Sequence, residues 1–138
     1  MRAFLDTNVL LDTVIERKNP LFCQNADAIL QAGKNGVVDL YMSVLSIPII
    51  AYVIKNVTVD VKKAKISNLT SIVKVLPSLP EHVNEMFECP LNDIEDTLLL
   101  LSAKTGNCDV IVTRDVEDFA LSEIPAISPE DFLGRILE

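Results

Sequence analysis

The sequence predicts an α/β fold, a parallel sheet with helices on both faces, and three observations lead there. Short apolar runs with no polar interruption, at 3–5 and 110–112, read as fully buried strands. Between such runs lie segments with helical apolar spacing and recognisable caps, so strands and helices alternate along the chain. The third is size and composition. A chain of 138 residues, 49% hydrophobic and 5% aromatic, suits a single domain over 1–138 with a substantial core and excludes a disordered chain.

Residues 3–5 form the first strand, which Asp6 closes, and Thr7 or Asn8 can cap a helix from 8 to about 16 with Val9, Leu10, Thr13 and Val14 at helical spacing. Pro20 opens a second helix that stops at Gly33 or Gly36, where glycine can take the left-handed conformation. The second strand covers 37–42. Ser43 or Ser46 caps the next helix, through Ile49, Ile50, Tyr52, Val53 and Ile54, and Pro48 fits its first turn if Ser46 is the cap. Apolar on most sides, that helix is expected to be buried against the sheet, another helix or both. Thr58 or Asp60 starts a lysine-bearing helix, 72–76 is the third strand, and a short helix spans 80–87. Asn92 or Asp93 caps a helix carrying Ile94, Leu98, Leu99 and Leu101 to a stop at Gly106. Residues 110–112 are a central strand and 126–127 a short last one. Ser128-Pro129-Glu130-Asp131 then combines a cap, a proline and first-turn acids at the start of the C-terminal helix.

Several function classes drop out. A net charge of −8 argues against a general nucleic-acid coat protein. Within 51–75, however, Lys55, Lys62, Lys63, Lys65 and Lys74 face only Asp60, and this segment is either a solvated helix face or a place to meet a polyanion. Cys23, Cys89 and Cys108 lack metal-ligand spacing and suit reduced core thiols, and the lone His82 is given no role. No signal peptide or membrane-length apolar run is seen, so a soluble, cytoplasmic protein without a membrane partner is expected. Scattered glycines do not form a dinucleotide or Walker loop.

The acids are more informative. In a parallel sheet Asp6 and Asp115, each just past a strand, emerge on the same carboxyl edge, where such sheets hold ligands. By itself Asp6 reads equally well as a cap or turn residue. If 115–118 forms a helical turn, Asp115 and Asp118 share a face. Asp96 lies on the helix that feeds the fourth strand, with Asp93 three residues before it. Carboxylates about 4 Å apart repel by roughly 4 kcal/mol per pair at an effective dielectric near 20. Such a cluster must hold a cation or take up protons, and oxygen-only donors select Mg²⁺ or Mn²⁺.

Three segments carry a resemblance: Leu5-Asp6-Thr7-Asn8-Val9-Leu10-Leu11-Asp12, Glu95-Asp96 ahead of an apolar helix, and Val110-Ile111-Val112-Thr113-Arg114-Asp115-Val116-Glu117-Asp118-Phe119. In this order they resemble the PIN-domain family, nearest to the small stand-alone VapC-type toxins of prokaryotic toxin–antitoxin pairs. The resemblance implies a five-stranded parallel sheet between helices and metal-dependent endoribonuclease activity on RNA. It implies that Asp6, Asp96 and Asp115 are catalytic metal-binding acids, that Asp118 is a weaker fourth, and that Asn8 and Thr113 orient them; Glu95 would lie at the rim. Lys62, Lys63, Lys65 and Arg114 become candidates for guiding the RNA backbone, with a structural salt bridge the other role open to Arg114. A cognate antitoxin and a homodimer are implied partners. The chain departs from the family at one point: the helix glutamate position falls on Ile49, which leaves the cluster one carboxylate short unless Glu95, Asp93 or Asp12 compensates. The other reading of that departure is a catalytically degenerate module that acts by binding protein or RNA.

Overall fold

The computed structural model describes residues 1–17 and 19–137. Its strands are β1 (Arg2–Leu5), β2 (Asp39–Ser43), β3 (Lys74–Leu76), β4 (Val110–Val112) and β5 (Ala126–Ile127), in one sheet of order β3-β2-β1-β4-β5. Every pairing is parallel. The helices are α1 (Thr7–Asp12), α2 (Pro20–Lys34), α3 (Ser46–Val53), α4 (Val59–Thr70), α5 (Glu81–Met86), α6 (Ile94–Thr105) and α7 (Pro129–Ile136), with a 3-10 turn at Val116–Phe119.

Strand alternation builds a core on each face. Ala3, Leu5, Leu40, Met42, Val110 and Val112 point to one side, where Val9, Leu10, Ile29, Ile50 and Phe132 cover them from α1, α2, α3 and α7. Phe4, Tyr41 and Ile111 point to the other, onto Leu99, Leu100 and Ala103 of α6 and Phe119. Chain order runs outward from β1 to β3 and then restarts on the opposite side with β4. The carboxyl ends of β1 and β4 therefore flank the point where strand order reverses, the usual ligand crevice of such sheets.

Several expected boundaries shift for local reasons. α1 ends at Asp12 rather than near residue 16, because the Val14 and Ile15 amides both turn back to the Leu11 carbonyl. Strand β2 starts at Asp39, after an exposed Val37 that follows the left-handed Gly36 (φ 77°). β3 starts at Lys74, because the Ile72 and Val73 amides still close α4 onto Leu69. α3 has Leu45 at its cap position and no side-chain cap bond. Ser43 Oγ instead accepts from the Leu45 amide at 3.1 Å, and Ser46 Oγ is committed elsewhere. Nor is α3 buried all round: Ile50 is fully covered, while Tyr52 is 75% exposed. His82 is buried and structural, with Nδ1 accepting from the Leu79 amide and Nε2 bonded to Thr105 Oγ1. Among the described residues the three cysteines are free thiols, and no helix is long and apolar enough to cross a membrane.

Candidate active site

Asp6 continues the sheet by donating its amide to the Val112 carbonyl at 3.0 Å and then starts α1. Its carboxylate Oδ1 accepts from the Thr7 amide at 2.7 Å, so Asp6, and neither Thr7 nor Asn8, is the cap of α1. Oδ2 accepts from Thr113 Oγ1 at 2.7 Å. The cap reading and the site reading thus describe the same side chain, and each oxygen keeps a lone pair for a further partner. Behind it, Thr7 Oγ1 and Ser46 Oγ lie 2.8 Å apart, a buried bond that ties α1 to the start of α3.

Thr113 is the hub. Its single hydroxyl proton goes to Asp6, and its oxygen accepts from the Asp115 amide at 3.0 Å and from Asn8 Nδ2 at 3.4 Å. That uses one donor and both acceptor positions of a hydroxyl. Asn8 Nδ2 also donates to Asp115 Oδ2 at 3.0 Å, and Asn8 Oδ1 accepts from the Arg114 amide at 3.4 Å. Thr113→Val, nearly isosteric at a fully buried position, is expected to keep the far-ultraviolet spectrum while lowering RNA cleavage roughly 10- to 100-fold, as loss of a ligand-orienting bond does elsewhere. Cleavage equal to wild type would deny Thr113 the orienting role.

Asp96 enters from the first turn of α6, where its amide donates to Asp93 Oδ1 at 2.9 Å. Burial pushes its carboxyl up to about 7, reinforced by the negative charges of Asp6, Asp93, Asp118 and Glu95. Burial likewise raises Asp6, against the lowering pull of its bonds from Thr113 and Thr7, with Asp115 and Glu95 adding to the rise. The 3-10 turn starts from Asp115, and Asp118 returns its amide to the Asp115 carbonyl at 3.0 Å. A cavity of about 320 Å³ beside this cluster is lined by Asp93, Asp96, Glu117 and Asp118. The geometry therefore brings Asp6, Asp96, Asp115 and Asp118 into one electrostatic neighbourhood, with Glu95 exposed at its rim.

Because Asp96 holds its proton more tightly folded than unfolded, the metal-free protein gains stability from it below about pH 3.8 and loses that gain as pH rises through about 7. With chelator present, the melting temperature of wild type is expected to fall from pH 5 to pH 8 by more than that of Asp96→Asn. Parallel pH profiles would show that Asp96 feels little of this field.

Among the described residues no three acidic, histidine or cysteine side chains stand close enough to enclose an ion as placed. The chemistry of the set nonetheless fits a hard divalent cation: the donors are all oxygen, and two carboxyls are raised by burial and by their neighbours' negative charge.

The structure corrects several expected roles. Asp12 is not a spare ligand: its side chain is 1% exposed and accepts from Arg17 Nε at 2.7 Å and Arg114 Nε at 2.9 Å. Arg114 is accordingly not a free phosphate clamp, since its guanidinium is held by Asp12 and lies 4.2 Å from the centroid of the Phe22 ring. Asp93 caps α6 through Oδ1, and its charge also acts on Asp96. Ile49 lies one turn beyond Ser46 on the same side of α3, which leaves Glu95 as the rim carboxylate in the field of Asp6 and Asp96. Lys62 Nζ donates to the Ala51 carbonyl of α3 at 2.7 Å, and Lys65 lines a separate cavity with Thr13, Val14 and Leu30. Lys63 is exposed on α4. None of these lysines is brought to the acids by a recorded contact.

Sequence reasoning gave Ser46 only a capping role, not its bond to Thr7, and missed the buried Ser43–Ser102 hydroxyl pair at 3.1 Å, which ties the end of β2 to α6. It also missed the two arginines on Asp12; the signal was a carboxylate on a buried helix with Arg17 five residues on. Comparison with known proteins agrees with the geometry. A family model for the PIN domain matches residues 2–117. The sequence is 32% identical over 143 residues to Ribonuclease VapC1 of Aquifex aeolicus (strain VF5), covering 97% of this chain and 94% of that one. The fold is similar to a chain of the Rickettsia felis VapBC2 assembly bound to promoter DNA, with a TM-score of 0.67, 14% identity, and 93% and 98% of the two chains covered. A toxin-antitoxin complex from Klebsiella pneumoniae gives a TM-score of 0.63 at 19% identity, with 92% and 97% covered.

Proposed function

This chain belongs to the PIN-domain family, and from that premise we propose that it is a metal-dependent endoribonuclease, the toxin of a toxin–antitoxin pair, acting in the cytoplasm as a single domain over 1–138. The observation that carries the reading is the group of acids at the carboxyl ends of β1 and β4, two of them raised by burial and like charge. The name of the A. aeolicus relative supports the activity. Similar folds in the R. felis and K. pneumoniae assemblies support an antitoxin as partner. A homodimer accords with the family resemblance.

Asp6, Asp96 and Asp115 would hold Mg²⁺ or Mn²⁺, with Asp118 as a weaker fourth. When bound, the ion supplies Lewis-acid stabilisation of the phosphate oxygens and lowers the cost of generating the nucleophile from water. The chain's own work is positional. Thr113 fixes the Asp6 carboxylate and the Asp115 backbone together, and Asn8 aims the Asp115 side chain. Asp96, whose carboxyl burial and neighbouring negative charge push up to about 7, would give up its proton more readily beside a cation.

The test is cleavage of a mixed-sequence RNA pool by partner-free protein with Mn²⁺, with chelator, and in Asp96→Asn. Cleavage is expected only in the first case. Full activity in Asp96→Asn removes the assignment, and a wild type that neither cleaves nor binds Mn²⁺ replaces it with the non-catalytic module that Ile49 would allow.

A further inference from the structure

The motif acids leave unexplained a cavity of about 230 Å³ on the other flank of Asp115, lined by Leu21, Phe22, Asn25, Arg114 and Pro129 together with the acids Asp115 and Glu130. We propose that this cavity is a nucleobase subsite, holding a base of the RNA next to the phosphate that is cut. The inference rests on the ribonuclease reading and adds where the substrate lies.

Three features carry it. The Arg114 guanidinium stacks on Phe22 at 4.2 Å from the ring centroid, which builds a flat wall of the kind on which bases of any sequence stack. Asp12 fixes that wall by holding Arg114, and it holds Arg17 as well. The cavity itself carries one cation, Arg114, against two acids, Asp115 and Glu130. The opposite flank is lined by Asp93, Asp96, Glu117 and Asp118 and repels a polyanion. The lining is less acidic on this side than on the opposite flank, so an RNA strand reaching the acids is favoured along the Arg114 side, where its base meets an apolar, stacked pocket. Asn25 on the wall offers both a donor and an acceptor to a base edge.

Binding is read by fluorescence anisotropy of a labelled single-stranded RNA in the Asp96→Asn background, and cleavage by kcat and KM in the otherwise wild-type protein. Phe22→Ala is expected to weaken binding and raise KM roughly 5- to 100-fold, with a smaller change in kcat. Leu21→Glu, at a position 46% exposed where a fold defect is not expected, should act in the same direction. The same charge at Val59, 65% exposed on α4, should change neither. A strand with abasic positions should bind the Asp96→Asn protein with and without Phe22→Ala alike. Unchanged affinity and KM in both Phe22→Ala and Leu21→Glu, in a protein whose cleavage is lost with Asp96→Asn, overturns the subsite and keeps the ribonuclease. Cleavage that survives Asp96→Asn overturns instead the active-site assignment on which the subsite rests.

Discussion

Mn²⁺ at a hundredfold excess over its Kd is expected to raise the melting temperature of the wild-type protein by roughly 8 °C and that of Asp96→Asn by far less. The shift follows from binding linkage, about 2.7 kcal/mol at that excess, with each kcal/mol worth roughly 3 °C in a chain of this length. Wild type also starts from a strained metal-free state, because burial and the charges of Asp6, Asp93, Asp118 and Glu95 hold Asp96 up to about 7. A divalent ion relieves that repulsion, while the amide of Asp96→Asn relieves part of it beforehand and removes a charged ligand. The variant should therefore melt at or above the wild-type temperature in chelator and fall below it in Mn²⁺. This crossing separates a lost ligand from a damaged fold, which would lower both curves. Equal Mn²⁺ shifts in the two proteins would place the ion elsewhere. No shift in either up to millimolar Mn²⁺ would favour a module in which Ile49 marks a lost metal site.

Asp12→Ala is expected to be the most destabilising single change among the polar residues near the site, at about 2–3 kcal/mol or roughly 6–9 °C. Removing one partner of a fully buried ion pair costs about 3–5 kcal/mol. That figure is reduced here because the Arg17 and Arg114 side chains are 29% and 24% exposed and stay partly solvated. Arg114→Met in the Asp12→Ala background should recover part of the loss, since a cation left without its carboxylate is replaced by an apolar chain of similar length. Thermal melting of both single variants and the double variant closes the cycle. Additive losses would mean that the two groups touch without depending on each other. Cleavage measured well below melting should fall too in Asp12→Ala, because the backbone between Thr113 and Asp115 is anchored through Arg114.

The sheet and its acids were legible because both depend on patterns that tertiary contacts rarely overrule. Uninterrupted apolar runs at Phe4 and Ile111 have no place except a buried strand, and parallel strands put Asp6 and Asp115 on one edge whatever the loops do. The capping signals of Asp93 and Ser128 were equally local and carry the expected side-chain bonds. What escaped depends on who arrives from far along the chain. Nothing near Asp12 shows that Arg114 will reach it, so its carboxylate looked available when it was already shared. The outward face of α3, with Tyr52 exposed, depends likewise on which neighbours cover an apolar helix. Ser46 was expected to cap α3, but Thr7 offers its hydroxyl a buried partner that a cap would have left in water.

The register of the central strands has a consequence in time. β1 must wait for β4, since Ala3 pairs with Val110 and Asp6 meets Thr113 only after the chain between them has been made. At about 5–20 residues per second of synthesis, the first acid waits on the order of 5–20 s for the hydroxyl that orients it. A chain still emerging from the ribosome, or one truncated before β4, carries Asp6 but cannot form the site. An incomplete copy therefore holds its first acid without the Thr113 hydroxyl that fixes it until translation is nearly finished.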